Sequence, residues 1–194
     1  MGLKLKEKQL LIDARKGDHD AFKKLIKKYE NQVAATVISM LGYGPEAEDV
    51  GQETFIRFYK ALDKFRGESS PGTYLTRIAV NLSLNELKRR QRHKKFFYSR
   101  SEEKISNLPD PKGSSNHHEL KNLVRWGLQK LEPKFRTVLV LRTINGYTSR
   151  ETAEILGLPI GTVLSRLARG QAKLKIILTP LLWEKNEQKG DGDE

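Results

Sequence analysis

Apolar residues recur every three or four positions along most of the chain, which is the spacing of the buried face of an amphipathic α-helix. Asp18 or Asp20 can cap the second of these helices, and Pro45 is well placed as the first residue of the third. The stretch from Gly67 to Gly72 is a loop by composition. Four helices are predicted in the first part of the chain. The first ends near Gly17, and the second has apolar residues from Phe22 to Leu41. The third runs from Pro45 to about Lys64 with Val50, Phe55, Phe58 and Leu62 inward, and the fourth starts near Thr73 with Leu75, Ile78, Ala79, Leu82 and Leu87 inward.

The periodicity stops between Arg100 and Asn116, where turn-forming residues replace it. It resumes in a helix from about His117 to Leu131, with Leu120, Leu123, Val124 and Leu128 as its apolar stripe, and in another from Pro133 to Asn145. No alternating segment typical of a strand is present. We therefore predict an all-α chain of two small helical domains, 1–95 and 117–183, joined by a flexible linker, 96–116, and followed by a disordered tail, 184–194.

The segment from Thr148 to Lys175 has the pattern of a helix-turn-helix. Thr148 and Glu151 have the spacing of a capping box that starts a short helix, and Gly157 stands where a left-handed turn is needed before a second helix. The second helix has Val163, Leu167 and Leu174 on its buried stripe. Its exposed residues are predicted to be Thr162, Leu164, Ser165, Arg166, Arg169 and Lys173.

Four basic residues and no acidic one lie between Pro159 and Lys175. Hydroxyl and guanidinium groups on one helical face suit the base edges and phosphates of a DNA major groove. We interpret this second helix as a DNA-reading helix, although an ordinary helical hairpin with a solvated basic face has a similar composition.

Composition narrows the choice of function. The formal net charge of +12 over 194 residues favours a polyanionic partner such as nucleic acid. The chain contains no cysteine, which excludes disulfides and thiolate metal sites. The N-terminus lacks the apolar core of a signal peptide, and the longest mostly apolar run, Val33 to Leu41, is far too short to cross a membrane. We expect a soluble intracellular protein.

An isolated acidic cluster contrasts with this basic background. Glu46, Glu48, Asp49 and Glu53 occur with no basic residue among them, and Asp49, Gln52 and Glu53 fall on one helical face. Acids in the first turn of a helix also favour its dipole, but this does not account for Gln52 or Glu53. We interpret the face as a docking surface for a basic partner protein.

Two further stretches are candidates for nucleic-acid contact. Lys88 to Arg100 holds seven basic residues and three consecutive aromatics, which suits single-stranded nucleic acid but also a solvated helix end. The loop from Phe65 to Tyr74 has an aromatic at each end and hydroxyls between, so it can hold an unstacked base. Its aromatics are equally compatible with capping the hydrophobic core.

Catalytic and cofactor motifs are not found. Gly42 to Ala47 formally matches a dinucleotide fingerprint, but no strand surrounds it, and its acids would repel a pyrophosphate. The four histidines lack metal-ligand spacing. We therefore predict no cofactor, no metal and no enzymatic activity.

With these residues considered together, the chain resembles a bacterial RNA polymerase sigma factor of the extracytoplasmic-function group. The resemblance covers about Gly17 to Arg92 and His117 to Lys175. Four stretches in family order carry it: Glu48-Asp-Val-Gly-Gln-Glu-Thr-Phe55, the segment Phe65-Arg-Gly-Glu-Ser with Thr73 to Asn81, Leu131-Glu-Pro-Lys-Phe-Arg-Thr-Val-Leu, and Glu154 to Leu167 of the helix-turn-helix.

The resemblance implies a function without catalysis: binding core polymerase and directing initiation at chosen promoters. It implies contacts with the clamp of the largest polymerase subunit and the flap of the second-largest, promoter DNA, a cytoplasmic location without membrane insertion, and an anti-sigma factor, which can hold the protein at the inner membrane. The implied site residues are Glu48, Asp49, Gln52, Glu53 and Phe55 for core polymerase; Phe65, Arg66, Ser69, Ser70, Tyr74, Arg77, Asn81, Asn85 and Lys88 for the minus-ten element; and Arg150, Thr162, Leu164, Ser165, Arg166, Arg169 and Lys173 for the minus-thirty-five element.

The chain departs from the family pattern at three positions. Leu164 stands where members often have Lys or Arg, Tyr74 where tryptophan is frequent, and Thr152 where isoleucine is common. A stand-alone DNA-binding regulator, an enzyme on a helical scaffold and a sigma-like protein that no longer starts transcription remain the alternatives. The acidic face and the loop at Phe65 to Tyr74 favour the sigma factor over the first of them.

Overall fold

The computed structural model describes residues 5–97 and 116–190, in which every regular element is a helix. Contacts divide the chain into two compact units, with the division after Gln91. The prediction of an all-α chain with two helical domains is confirmed. Within the ranges given above, no helix is both long enough and apolar enough to span a membrane.

The N-terminal unit is built from four helices. Asp18 caps α2 by accepting hydrogen bonds from the backbone N–H groups of Asp20 and Ala21, and Pro45 begins α3, both as predicted. Gly42 ends α2 with a φ of 87°, a conformation that favours glycine. The helices are α1 (Leu5–Arg15), α2 (His19–Leu41), α3 (Pro45–Ala61) with a 3₁₀ turn at Leu62–Lys64, and α4 (Pro71–Phe97).

Glycine at position 72 allows the start of α4 to lie against the Tyr29 and Gln32 side chains of α2. A β-carbon built on Gly72 would lie 2.8 Å from a ring carbon of Tyr29. Gln32 of α2 donates hydrogen bonds to the carbonyl of Gly72 at 3.3 Å and to the Thr76 hydroxyl at 2.9 Å. Fully buried Phe58 and Leu75 complete the core from α3 and α4.

The C-terminal unit has four more helices. The buried guanidinium of Arg136 donates to the carbonyls of Gln129 and Leu131, and so holds the turn between the first two. Val138 and Val163, both fully buried, lie at the centre of this unit. The helices are α5 (Asn116–Lys130), α6 (Pro133–Leu139) extended by a π turn at Val140–Ile144, α7 (Ser149–Leu156) and α8 (Ile160–Gly190).

Four details differ from the predictions. The fourth helix begins at Pro71, because proline suits a first helical position, so Pro71 and Gly72 belong to the helix and not to the loop. Leu120 was placed on the buried stripe of α5, yet it is 48% exposed. Helix α8 continues past Glu184, where disorder was predicted, because lysine, glutamate and glutamine are good helix formers. Helix α4 extends to Phe97, inside the predicted linker, and the rest of that linker up to residue 115 lies outside the described residues, as do residues 191–194.

Candidate functional site

The predicted docking face lies on the first three turns of α3. Glu48, Asp49 and Gln52 are exposed, and Glu53 is half-buried. Glu53 accepts a hydrogen bond from Arg57 one turn later at 2.7 Å, so part of its charge is compensated. The acidic character of the exposed face therefore comes mainly from Glu48 and Asp49.

A groove between α2 and α3 adjoins this face. It has a volume of about 470 Å³, and its lining includes Val33 and Val37 from α2 and Phe55 from α3. Glu48 and Gln52 also line it, which joins the acidic face to an apolar floor. A partner with apolar and basic side chains on one surface fits such a groove. The groove was not predicted from the sequence, because it depends on how two helices pack.

The loop before α4 lines a second, more polar pocket of about 250 Å³. Residues 64–69 line it together with Tyr74 and Arg77. Gly67 has a φ of 73°, which allows the loop to turn back sharply. The Ser70 hydroxyl accepts a hydrogen bond from the backbone N–H of Thr73 at 3.1 Å, so Ser70 caps the helix in addition to its predicted contact with DNA.

The two aromatics that bracket this loop have different surroundings. Phe65 is only 5% exposed, and its ring packs edge-on against Phe58 and Tyr74, with centroid distances of 5.9 and 5.2 Å. A ring buried in this way is not available to stack on a base, so its observed role is to pack in the core and fix the loop. Tyr74 is half-buried and lines the pocket directly. Of the two readings of these aromatics, the structure favours core packing for Phe65.

A row of polar side chains continues from the pocket along α4. Their spacing of three or four residues places them on one face of the helix. Arg66, beside the loop, is exposed and lies 3.9 Å from Glu68, while Ser69 is half-buried. The exposed row consists of Arg77, Asn81, Asn85 and Lys88.

Near the C-terminal end of α4, an acidic residue compensates part of the positive charge of the helix. Glu86 accepts hydrogen bonds from Arg89 at 2.7 Å and from Arg90 at 3.0 Å, and these bonds, with that from Arg89 foremost, hold the pKa of Glu86 below its usual range. Arg90 also donates to the carbonyl of Leu41 at the end of α2. Both arginines therefore have structural partners, which weakens the interpretation of this part of the basic run as a nucleic-acid site, while residues 98–100 of the run lie outside the described residues.

The helix-turn-helix forms as the sequence predicts. The Thr148 hydroxyl accepts from the N–H of Glu151, and the Glu151 carboxylate accepts from the N–H of Thr148, which completes the capping box. The hydrogen bond from the Thr148 backbone N–H is the main cause that lowers the pKa of Glu151. Gly157 ends α7 in the left-handed conformation with a φ of 61°. Thr152 is fully buried, and within the described chain its hydroxyl has no hydrogen-bond partner.

The predicted reading face on α8 contains the expected residues with one qualification. Leu164 is 50% exposed, Ser165 and Arg169 are exposed, and Thr162 and Arg166 are half-buried. Arg150 of α7 is also exposed.

The qualification concerns Lys173, further along α8. It lies 3.1 Å from the Glu132 carboxylate and 5.3 Å from the centre of the Phe135 ring, so its ammonium is directed toward the start of α6. Lys134, and after it Lys173, lowers the pKa of Glu132.

Arg15 and Arg142, like Arg136 described above, have structural roles that were not identified from the sequence. Arg15 of α1 donates hydrogen bonds to the carbonyls of Leu62 and Phe65, and Arg142 donates to the carbonyl of Tyr147 just before α7. Each arginine donates to at least one backbone carbonyl, and because every residue has a carbonyl, the sequence does not reveal which one is bound.

Comparison with known proteins identifies relatives over most of the chain. Residues 25–93 match the family Sigma-70 region 2, and residues 127–174 match the family Sigma-70, region 4. The chain is 32% identical to the RNA polymerase sigma-H factor of Pseudomonas aeruginosa over 92% of its own length and 96% of that protein. It is also 32% identical to the ECF RNA polymerase sigma factor SigW of Bacillus subtilis, over 87% of this chain and 94% of that one.

A solved structure shares the fold. The sigma factor RpoE of Bartonella quintana, crystallised in complex with the anti-sigma factor NepR, is similar with a TM-score of 0.66 at 24% identity. The match covers 81% of this chain and 96% of that one.

Proposed function

Since this chain belongs to the extracytoplasmic-function sigma factors, which bind core RNA polymerase and direct initiation at specific promoters, we propose that three of its surfaces divide this work. One docks on polymerase, one captures the minus-ten element, and one reads the minus-thirty-five element. Proteins of this family are transcription initiation factors, and their contribution is binding free energy that selects and opens a promoter.

The docking surface is the acidic face of α3 together with the adjoining groove. The observation that supports this assignment is that Glu48, Asp49 and Gln52 are exposed beside an apolar floor containing Phe55, in a chain whose net charge is +12. A negative patch on a positive protein selects a basic partner surface and disfavours nucleic acid. The clamp coiled coil of the largest polymerase subunit is the partner proposed for it.

The minus-ten surface is the pocket before α4 with the polar row that follows it. The pocket has the polar lining that an extruded base requires, and Arg77 contributes to its wall. Asn81, Asn85 and Lys88 extend the same exposed face, where amide and ammonium groups suit the backbone and base edges of an unpaired strand.

The minus-thirty-five surface is the start of α8. Ser165, Arg166 and Arg169 supply hydroxyl and guanidinium donors for phosphates and base edges. Exposed Leu164 offers an apolar contact to a thymine methyl group where many members would offer a charge. The rest of the C-terminal unit is proposed to contact the flap of the second-largest subunit.

Control by an anti-sigma factor is part of the proposal. The structural relative RpoE was crystallised with such an inhibitor, and occupation of the docking groove would prevent polymerase binding. We place the protein in the bacterial cytoplasm, where an inhibitor anchored in the inner membrane would hold it at the membrane face until a signal releases it.

The substitution Asp49→Lys tests the docking assignment. Reversal of this charge should lower the affinity for bacterial core polymerase by at least about tenfold, because it places like charges opposite each other in the interface. Affinity is measured by titrating labelled full-length protein with core polymerase, and circular dichroism checks the fold. Asp20→Lys, the same change at an exposed position of α2 outside the groove lining, serves as control.

Equal affinities for the two variants would exclude Asp49 from the docking surface. The stand-alone regulator is tested in the same preparation, because a sigma factor binds promoter duplex poorly without polymerase. Tight and specific duplex binding by the protein alone, with no affinity for polymerase, would favour that alternative.

A further inference from the structure

We propose that Arg15, the last residue of α1, is a positioning residue that fixes the geometry of the minus-ten pocket from behind. This inference rests on the proposed function of the loop at residues 64–69. Arg15 is distant in sequence from every residue so far assigned to DNA binding, and its side chain acts through the backbone of the loop and makes no contact with DNA.

The guanidinium of Arg15 binds both ends of the short stretch that leads into the loop. Its Nε donates to the carbonyl of Leu62 at 2.9 Å, and an Nη donates to the carbonyl of Phe65. Leu62 begins the 3₁₀ turn, and its carbonyl also accepts from the N–H of Phe65 at 3.2 Å. A carbonyl oxygen has two lone pairs and can accept two hydrogen bonds, and a planar guanidinium with several donors can bind two carbonyls at once.

Phe65 is the last buried residue before the exposed part of the loop that lines the pocket. The Phe65 ring is buried in the aromatic cluster, whereas the next three residues, Arg66, Gly67 and Glu68, are exposed and line the pocket. With the carbonyl held by Arg15, the chain leaves the core in one fixed direction. At the other end of the loop, the Ser70 cap fixes the start of α4. The pocket wall is thus held at both ends, which reduces the entropy lost when a base enters.

A purely structural role for Arg15, as a link between α1 and the rest of the unit, is the competing explanation. However, α1 has other attachments. Glu7 accepts a hydrogen bond from the Tyr29 hydroxyl and forms an ion pair with the Lys28 ammonium at 3.0 Å, while Leu11 and Ala14 are buried. These contacts secure α1 on α2 without Arg15, so loss of the guanidinium should release the loop and leave the fold intact.

The test compares Arg15→Met, Arg15→Lys and, as matched control, Lys16→Met, which removes a positive charge from the exposed neighbouring position. Each full-length variant is assembled with bacterial core polymerase, and fluorescence anisotropy measures its affinity for a single-stranded oligonucleotide carrying the non-template minus-ten sequence. That sequence is taken from promoters that the unmodified protein selects from a library. Core-polymerase affinity and the thermal midpoint of unfolding are measured in parallel.

Arg15→Met should weaken oligonucleotide binding about tenfold, as expected for the loss of hydrogen bonds from a charged donor. Arg15→Lys should weaken it by about threefold, because an ammonium can satisfy one carbonyl well but not both in the fork geometry. Lys16→Met should stay within about twofold of the unmodified protein, and core-polymerase affinity should be unchanged in all three.

Several results would overturn the proposal. Unchanged oligonucleotide binding by Arg15→Met would do so. If Lys16→Met lost as much oligonucleotide affinity as Arg15→Met, the effect would come from net charge instead of pocket geometry. A parallel fall in core-polymerase affinity and thermal midpoint would assign Arg15 a structural role only.

Ser69→Ala and Arg66→Ala, in the pocket itself, separate this inference from the proposed function of the loop. If neither changes oligonucleotide binding, the loop function and the Arg15 inference both fail. If they weaken binding and Arg15→Met does not, only the Arg15 inference fails.

Discussion

Thr148 and Glu151 show how much a pair of residues can determine locally. Their reciprocal hydrogen bonds start α7, and together with Gly157 they fix the length of that helix. Both features were predictable from sequence, because a capping box and a glycine turn depend on neighbours within a few residues. Arg15 and Arg142 were not predictable, since a side chain that binds a backbone carbonyl requires no particular residue at the other end.

The capping carboxylate of Glu151 gives the C-terminal unit a pH dependence. Its pKa is lowered in the folded state, first by the Thr148 backbone bond, so its stabilisation is fully present above the unfolded value of about 4.3. That stabilisation is lost as the pH falls through the lowered folded pKa. Glu151→Gln keeps an acceptor but loses the charge, and it should cost about 0.5 kcal/mol at neutral pH.

Urea unfolding followed by tryptophan fluorescence measures this effect selectively. Both tryptophans of the chain, Trp126 and Trp183, lie in its C-terminal half, so the signal does not report on the N-terminal unit. The stability difference between Glu151→Gln and the unmodified protein should be similar at pH 7 and pH 5.5 and should shrink below about pH 4. A difference that persists or grows in acid would contradict the role of the carboxylate.

At the scale of helices, the sequence pattern located the eight α-helices of the described residues but not the way they pack against each other. The buried stripes of α2 and α4 predicted their inward faces, whereas the approach at Gly72 depends on the packing of two helices far apart in sequence. The groove beside Phe55 was missed for the same reason. Pairwise helix packing is tertiary information that a single amphipathic pattern does not contain.

The same substitution, glycine to alanine, should have opposite effects on the stability of the N-terminal unit at two positions. Gly72→Ala places a methyl group against the buried Tyr29 ring and should destabilise the unit by about 1–3 kcal/mol. Gly51→Ala, on α3 where a β-carbon meets nothing within 4 Å, should stabilise it by up to about 1 kcal/mol through helix propensity.

Circular dichroism at 222 nm follows both variants, and tryptophan fluorescence identifies the transition of the C-terminal unit for subtraction. Equal stabilities of Gly72→Ala and Gly51→Ala would show that the packing of Gly72 against Tyr29 is not maintained in solution.

For the whole molecule, the proposed surfaces predict that polymerase binding and promoter reading can be lost separately. Arg166→Ala should leave core-polymerase affinity unchanged and reduce discrimination at the minus-thirty-five element by about 1–3 kcal/mol, the usual worth of a base-contacting arginine. Lys175→Ala, an exposed basic residue further along α8, is the control for a simple loss of charge.

Competition between matched and mismatched promoter fragments for the assembled holoenzyme measures this discrimination. A uniform loss of affinity for every sequence would assign Arg166 to phosphate binding instead of base reading. A loss of core-polymerase affinity would show that the surfaces are not separate.

Multi-round transcription with bacterial core polymerase on a promoter library, with and without this protein, tests promoter-directed initiation itself. We expect new transcripts that start at discrete sites, preceded by two shared sequence elements at a constant spacing. Absence of new transcripts, although the protein still co-migrates with core polymerase, would contradict promoter-directed initiation and indicate a sigma-like regulator that no longer starts transcription.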